Sequence, residues 1–198
     1  MLKIGITGGI GSGKSTVCRL FAAHGIPCYD CDSAAKRLMA DDEALKRAII
    51  DRFGAESYAD GSLNRPWLAA KVFADAAARE ALNGLVHPAV RDDFERWAAA
   101  QQSPYVVLES AILYESGLDR QVDRVVAVLA PEALRLERAV RRDGADAEAI
   151  RRRMAAQTDD DTLRDRADYA VVNIREEELA ADVARLDLLF RHAAAVGS

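Results

Sequence analysis

Two hydrophobic rhythms alternate along the chain. LKIGIT, residues 2–7, is a short apolar run containing β-branched residues and bounded by glycine, the pattern of a buried strand. Residues 14–24 change to a helical period: Val17, Leu20 and Phe21 share one face, and Gly25 marks the stop. IPCYD predicts a second strand, and Asp32 opens another helix near its cap. This β–loop–α–β–α start predicts a parallel α/β sheet. Strand rhythm then disappears. Helices are predicted over 33–40, 42–53, 66–73 with Pro66 in its first turn, and about 76–101, with YADGSLNR as a turn. Pro88 disfavours helix at the residue before it, so His87 is expected at a break in the last of these, where a ligand can meet it. Strands return in PYVVLES, DRVVAVLA and DYAVVN, separated by a helix over 131–142 and a charged helical stretch over 143–166, and followed by a helix over 176–195. The pattern predicts a core of five parallel strands flanked by helices, built from residues 1–32 and 103–198, with residues 33–102 as a helical insertion for a substrate.

The loop after the first strand carries the clearest chemistry. GGIGSGKS, residues 8–15, fits G-x-x-x-x-G-K-S/T between a predicted strand and a predicted helix. Gly9, Gly11 and Gly13 let the backbone turn its N–H groups inward, and the helix adds the positive end of its dipole. Lys14 is expected to reach the β- and γ-phosphates of a nucleotide, and Ser15 to offer its hydroxyl to Mg²⁺. Ser12 and Thr16 complete the stretch that would hold ATP.

Two strand ends carry acids. YDCD brings Asp30 and Asp32 to the carboxyl end of the second strand, the sheet edge where ligands bind in open α/β folds. A carboxylate there can orient or accept the proton of an attacking hydroxyl, and Asp32 is the stronger candidate. Glu109 ends the third strand, where P-loop proteins place an acid near Mg²⁺, directly or through water. Glu115 is expected to cap or to pair with a basic residue. Arg135, Arg138 and Arg142 fall near one helical face, with Arg141 and Arg151 to Arg153 close by. One or two of them are expected to stabilise charge on a moving phosphoryl group, and the rest to pair with Glu132, Glu137, Asp143 and Glu148.

Composition narrows the classes. Of 198 residues 30% are charged, with a net charge of −5, so a chain-wide basic footprint for nucleic acid is absent. No apolar run approaches a membrane span, and the first strand begins at residue 2, which predicts a cytoplasmic enzyme without a signal peptide. Cys28 and Cys31 form a C-x-x-C whose first cysteine lies inside a predicted strand. With Cys18 they are expected to be reduced, packed thiols, a redox pair being the alternative; no second pair completes a zinc site. DRFG fits a guanine-nucleotide motif, but no N-K-x-D follows. The residues alone leave open a kinase for some small hydroxyl compound and a nucleotide-dependent switch.

The ordered set of motifs resembles the dephospho-CoA kinases, small P-loop kinases related to the nucleoside monophosphate kinases. IGITGGIGSGKSTV, YDCD, DGSLNRPWLAAKVF, LNGLVHP, RLERAVRRDG with Gln157, and ADYAVVN are similar to segments of that family in the same order, across nearly the whole chain. Glu109 and Ala111 stand where the family often has aspartate and proline, and Cys31 where it often has alanine. The resemblance implies a small helical lid over about 138–166, and transfer of the ATP γ-phosphoryl group to the ribose 3′-hydroxyl of dephospho-CoA, the last step of CoA synthesis. By position it implies Asp32 as base or hydroxyl-orienting acid, Lys14 and the loop on ATP, Arg138 and Arg142 in the lid, Arg65 and His87 on the acceptor, and Asn173 near the adenine. ATP and dephospho-CoA are the expected partners, with Mg²⁺, for a monomer or small homo-oligomer.

Overall fold

The computed structural model describes residues 1–196. The chain forms two compact units: Met1–Asp30 together with the chain from Ala100 onward, and Cys31–Ala99. The first unit opens with β1 (Leu2–Thr7), α1 (Lys14–Ala23) and β2 (Cys28–Asp30). The second holds α2 (Cys31–Asp41), α3 (Glu43–Phe53), β3 (Tyr58–Ala59), β4 (Ser62–Leu63), α4 (Arg65–Ala74) and α5 (Ala76–Ala99). The first unit then resumes with β5 (Tyr105–Glu109), β6 (Arg124–Leu129), α6 (Glu132–Asp143), α7 (Ala147–Ala155), α8 (Asp160–Arg166), β7 (Tyr169–Val172) and α9 (Glu176–Val196). Short 3-10 turns cover Ala55–Ser57 and Leu118–Gln121.

The five strands of the first unit form one sheet in the order β2-β5-β1-β6-β7, every pair parallel. Strands buried on both faces are apolar throughout rather than alternating. In β6, Val126 and Val128 enter a core cluster with Ile4, Ile6, Val107 and Phe21, while Ala127 and Leu129 join a second cluster with Leu163 of α8. Leu179, Val183 and Phe190 of α9 belong to the first cluster, and α1 packs against α9. The register sets Glu109 beside both Ile6 and Asp30, so two acids end neighbouring strands at one sheet edge.

A buried polar group ties this core together. Asp187 of α9, 4% exposed, accepts from the Tyr105 hydroxyl at 2.6 Å and from Arg191 Nε at 2.9 and 3.0 Å. Burial first, and then the bond to Asp187, push the Tyr105 phenol pKa up. Asp187→Ala would leave the hydroxyl and the guanidinium without this acceptor. It should lower unfolding stability by about 3 kcal/mol, read in a denaturant titration.

In the second unit, side-chain caps start two helices: Asp42 accepts from the Ala44 and Leu45 amides, and Asn64 from the Trp67 amide. YADGSLNR, read from the sequence as a turn, is a small hairpin. Asp60 and Gly61 have φ of 49° and 76°, the two positive values of a type I′ turn.

The expected break at His87 is corrected: α5 runs unbroken through Pro88. Val86, Val90, Phe94 and Ala98 are buried at a spacing of four on both sides of the proline. A proline inside a helix costs about 3 kcal/mol, and burying a Val or Phe side chain contributes about 1.5–3 kcal/mol each. The buried face therefore outweighs the break.

Candidate nucleotide site

The loop from Gly8 to Gly13 joins the buried end of β1 to the start of α1. Gly13 is the helix N-cap, with φ of 96°, and a β-carbon there would lie 1.9 Å from Asn173 Nδ2. Both the left-handed backbone and the close approach require glycine. Asn173 Nδ2 donates to the Ser12 carbonyl at 2.8 Å, and the Asn173 amide donates to the Leu129 carbonyl at 2.8 Å. Arg138 Nη1 in turn donates to the Asn173 carbonyl at 3.0 Å. The loop is thus clamped to the end of β7 through one amide side chain, and α6 to the same point through one guanidinium.

Lys14 turns back over the loop. Its Nζ donates to the Gly8 carbonyl at 2.8 Å and to the Gly9 carbonyl at 3.4 Å. Burial pushes its pKa down, the Glu109 carboxylate opposes that shift, and Arg142 and Arg135 add to it. A desolvated cation in a glycine loop at the start of a helix is a site prepared for an anion.

The segment after α7 closes on the same loop. Gln157 Oε1 accepts from the Ile10 amide at 2.8 Å, while its Nε2 donates to the Ala111 carbonyl at 3.3 Å. Glu115 accepts from the Thr158 amide at 3.0 Å and from its hydroxyl at 2.6 Å. Glu115, expected to cap or to pair with a basic residue, thus bonds Thr158.

Of the residues expected on ATP, Gly9, Gly11, Ser12, Gly13, Lys14 and Asn173 come together here. Ser15 and Thr16 form the first turn of α1, and Thr16 Oγ1 accepts from Arg19 at 3.1 Å. Glu109 acts on Lys14 through its charge. Arg142 is turned to Asp143, on which it makes bonds of 2.7 and 3.3 Å.

The residues expected on the acceptor belong to the helical unit. Asp32 is in the first turn of α2, exposed, with Lys36 Nζ at 2.5 Å. Arg65 opens α4, and half-buried His87 lies in α5, where burial and then Arg91 push its pKa down. The three cysteines are free thiols. Cys28 Sγ bonds the Cys18 carbonyl at 3.3 Å, so its neighbour in the fold is Cys18, which no C-x-x-C spacing indicates.

Sequence reasoning gave Gln157 no physical role and left Arg135 as one of several arginines. The signal for Gln157 was positional only, since a lone glutamine carries no local pattern. No helix among the described residues is long and apolar enough to cross a membrane.

The chain is similar to known proteins along most of its length. The family model described as dephospho-CoA kinase matches residues 2–178. A dephospho-CoA kinase of Bacteroides fragilis is 40% identical over 186 residues, covering 93% of this chain and 91% of that one. One of Porphyromonas gingivalis is 42% identical over 187 residues, covering 94% and 93%. A crystal structure of a Thermus thermophilus protein, 34% identical, superposes with a TM-score of 0.84 over 95% of this chain and 96% of that one. With one family model spanning the sheet, the clamped loop and the helical unit, and relatives of this identity along almost the full length, the chain belongs to the dephospho-CoA kinase family.

Proposed function

We propose that the protein transfers the γ-phosphoryl group of ATP to the ribose 3′-hydroxyl of dephospho-CoA, yielding ADP and CoA. The observation that carries the ATP half is Lys14, buried and bonded to the carbonyls of a glycine loop at a helix start. Family membership carries the acceptor half. The loop amides and Lys14 bind the β- and γ-phosphates and stabilise charge as the phosphoryl group moves. Asn173, bonded by Arg138 at 3.0 Å, lies toward the adenine of ATP, and Arg138 with Arg142 serves as a lid arginine that offsets charge on the moving phosphoryl group. Asp32 orients the acceptor hydroxyl and takes up its proton, while Arg65 and His87 bind the acceptor. Residues 138–166 act as the lid, and Arg142 exchanges Asp143 for phosphate when the lid engages ATP.

The oxygen donors suit Mg²⁺. Ser15 supplies a hydroxyl and Glu109 a carboxylate, directly or through water, and nucleotide phosphates commonly complete such a shell. Among the described residues no three His, Cys, Asp or Glu side chains gather to hold a metal. When bound, the ion offsets phosphate charge. The reaction is read as cytoplasmic, in keeping with three free thiols, and as the work of a monomer or small homo-oligomer.

The test is ADP release by the purified protein with ATP, Mg²⁺ and a panel of hydroxyl acceptors. Dephospho-CoA should raise ADP release at least about 10²-fold over the acceptor-free rate, since lid closure that excludes water protects ATP from hydrolysis. Equal release with and without it, or a clear preference for another acceptor, would reject the assignment.

A further inference from the structure

Arg135 stands apart from the other arginines of α6. Arg138 is bonded to the Asn173 carbonyl and Arg142 to Asp143, whereas Arg135 is pressed against the phosphate loop itself. A β-carbon on Gly9 would lie 1.7 Å from Arg135 Nη1, and one on Gly11 would lie 2.2 Å from the Arg135 carbonyl oxygen. Any side chain at either loop position would displace the arginine or the helix that carries it.

The charge held there is incompletely matched. The Arg135 side chain is 12% exposed, and its Nη1 lies 3.5 Å from Asp160 Oδ1 of α8. Arg135 Nε and Asp160 Oδ1 are both buried without a hydrogen-bond partner. A guanidinium removed from water ordinarily has its donors bonded and its charge paired at close range. Here the pairing is loose, and the guanidinium lies against the backbone that would cradle a polyphosphate. Its field reaches the loop lysine, where it contributes to the depressed pKa of Lys14.

We propose that Arg135 is a further positioning residue of the phosphate site, which fixes the loop at Gly9 and adds positive charge behind it, while Asp160, at 3.5 Å with its Oδ1 unbonded, offsets part of that charge. The assignment rests on the reading of this loop as the ATP site. Because the contribution is electrostatic, it grows with the number of phosphates on the ligand. A role confined to the stability of the whole fold would affect all adenine nucleotides alike.

Calorimetric titration of the full chain and its variants with ATP, ADP and AMP separates the two. Arg135→Gln should weaken ATP binding about tenfold, as expected for one charged contact, with a smaller loss for ADP and little for AMP. Arg135→Lys should recover most of the ATP affinity. Asp160→Asn should tighten ATP binding about two- to fivefold, because the offsetting charge is gone. An Arg135→Gln protein that binds ATP like the wild type, or loses all three nucleotides equally, would overturn the proposal. So would an Asp160→Asn protein that binds ATP more weakly, and that sign decides the matter if Arg135→Gln fails to fold. Failure of the unmodified protein to bind ATP would overturn the ATP reading as well, whereas wild-type binding with an unaffected Arg135→Gln variant would overturn this inference alone.

Discussion

Lys14→Ala should lower kcat/KM for ATP by about 10²–10³-fold, the range for removing one preorganised charge-stabilising donor, and should weaken ATP binding at the same time. The thermal behaviour should run the other way. The Lys14 pKa in the fold lies below its ordinary value because the ammonium is buried. The native state therefore binds this proton less readily than the unfolded chain does. Through the window between the lowered pKa and 10.5, the stability linked to Lys14 rises with pH, and below the window the full desolvation cost is present. Alanine removes that cost. Without nucleotide, Lys14→Ala should melt at or above the wild-type temperature at pH 7; with saturating ATP it should melt below it, since only the wild type gains the strong ligand term. Paired melts with and without ATP read both signs. A variant that keeps wild-type turnover would remove Lys14 from the reaction.

Asp32→Asn is expected to cut kcat by about 10²–10⁴-fold, the contribution of a general base or orienting acid, with KM for ATP nearly unchanged. Asparagine keeps the shape at the first turn of α2 and loses the charge. The pair it breaks, with Lys36 at 2.5 Å, joins side chains that are 50% and 80% exposed. Such pairs contribute at most about 1 kcal/mol, so the fold should be unaffected and any loss of rate is chemical. Steady-state kinetics with ATP and dephospho-CoA varied in turn separates the outcomes. Wild-type kcat would dismiss the assignment. An equal loss in ATP affinity would make Asp32 a nucleotide ligand instead of a group acting on the acceptor.

How far these residues could be read in advance depended on how local their signals are. The phosphate loop was legible because its glycines, Lys14 and the flanking apolar runs are contiguous, and each has its own steric or electrostatic reason. β1, β5 and β6 were legible because most of their residues are buried and form nearly continuous apolar runs. The strand order β2-β5-β1-β6-β7 is a property of crossovers that no single segment encodes. His87 was misread because proline's local preference was weighed without the buried stripe Val86, Val90, Phe94 and Ala98 that overrides it. The Asp-Gly pair at 60–61 marked a turn, but strands of two residues are too short for any alternation to register. The clamps on the loop were the least legible part. Asn173 lies 161 residues from Ser12, and Gln157 lies 147 from Ile10. Such pairings arise only when the sheet brings the ends of β1, β5 and β7 to one edge. Arg135 was hidden for a further reason: among closely spaced arginines, spacing cannot tell which one meets the glycine gap at Gly9.

The central claim is most directly tested by following the phosphorus atom. The purified protein is incubated with Mg²⁺, dephospho-CoA and ATP labelled in its γ-phosphoryl group, and the products are separated and examined by phosphorus NMR. One labelled product is expected besides unreacted ATP, with the label in a monoester on the ribose 3′-oxygen, formed in equal amount with ADP. Label recovered as inorganic phosphate, or on any other oxygen of the acceptor, would contradict it.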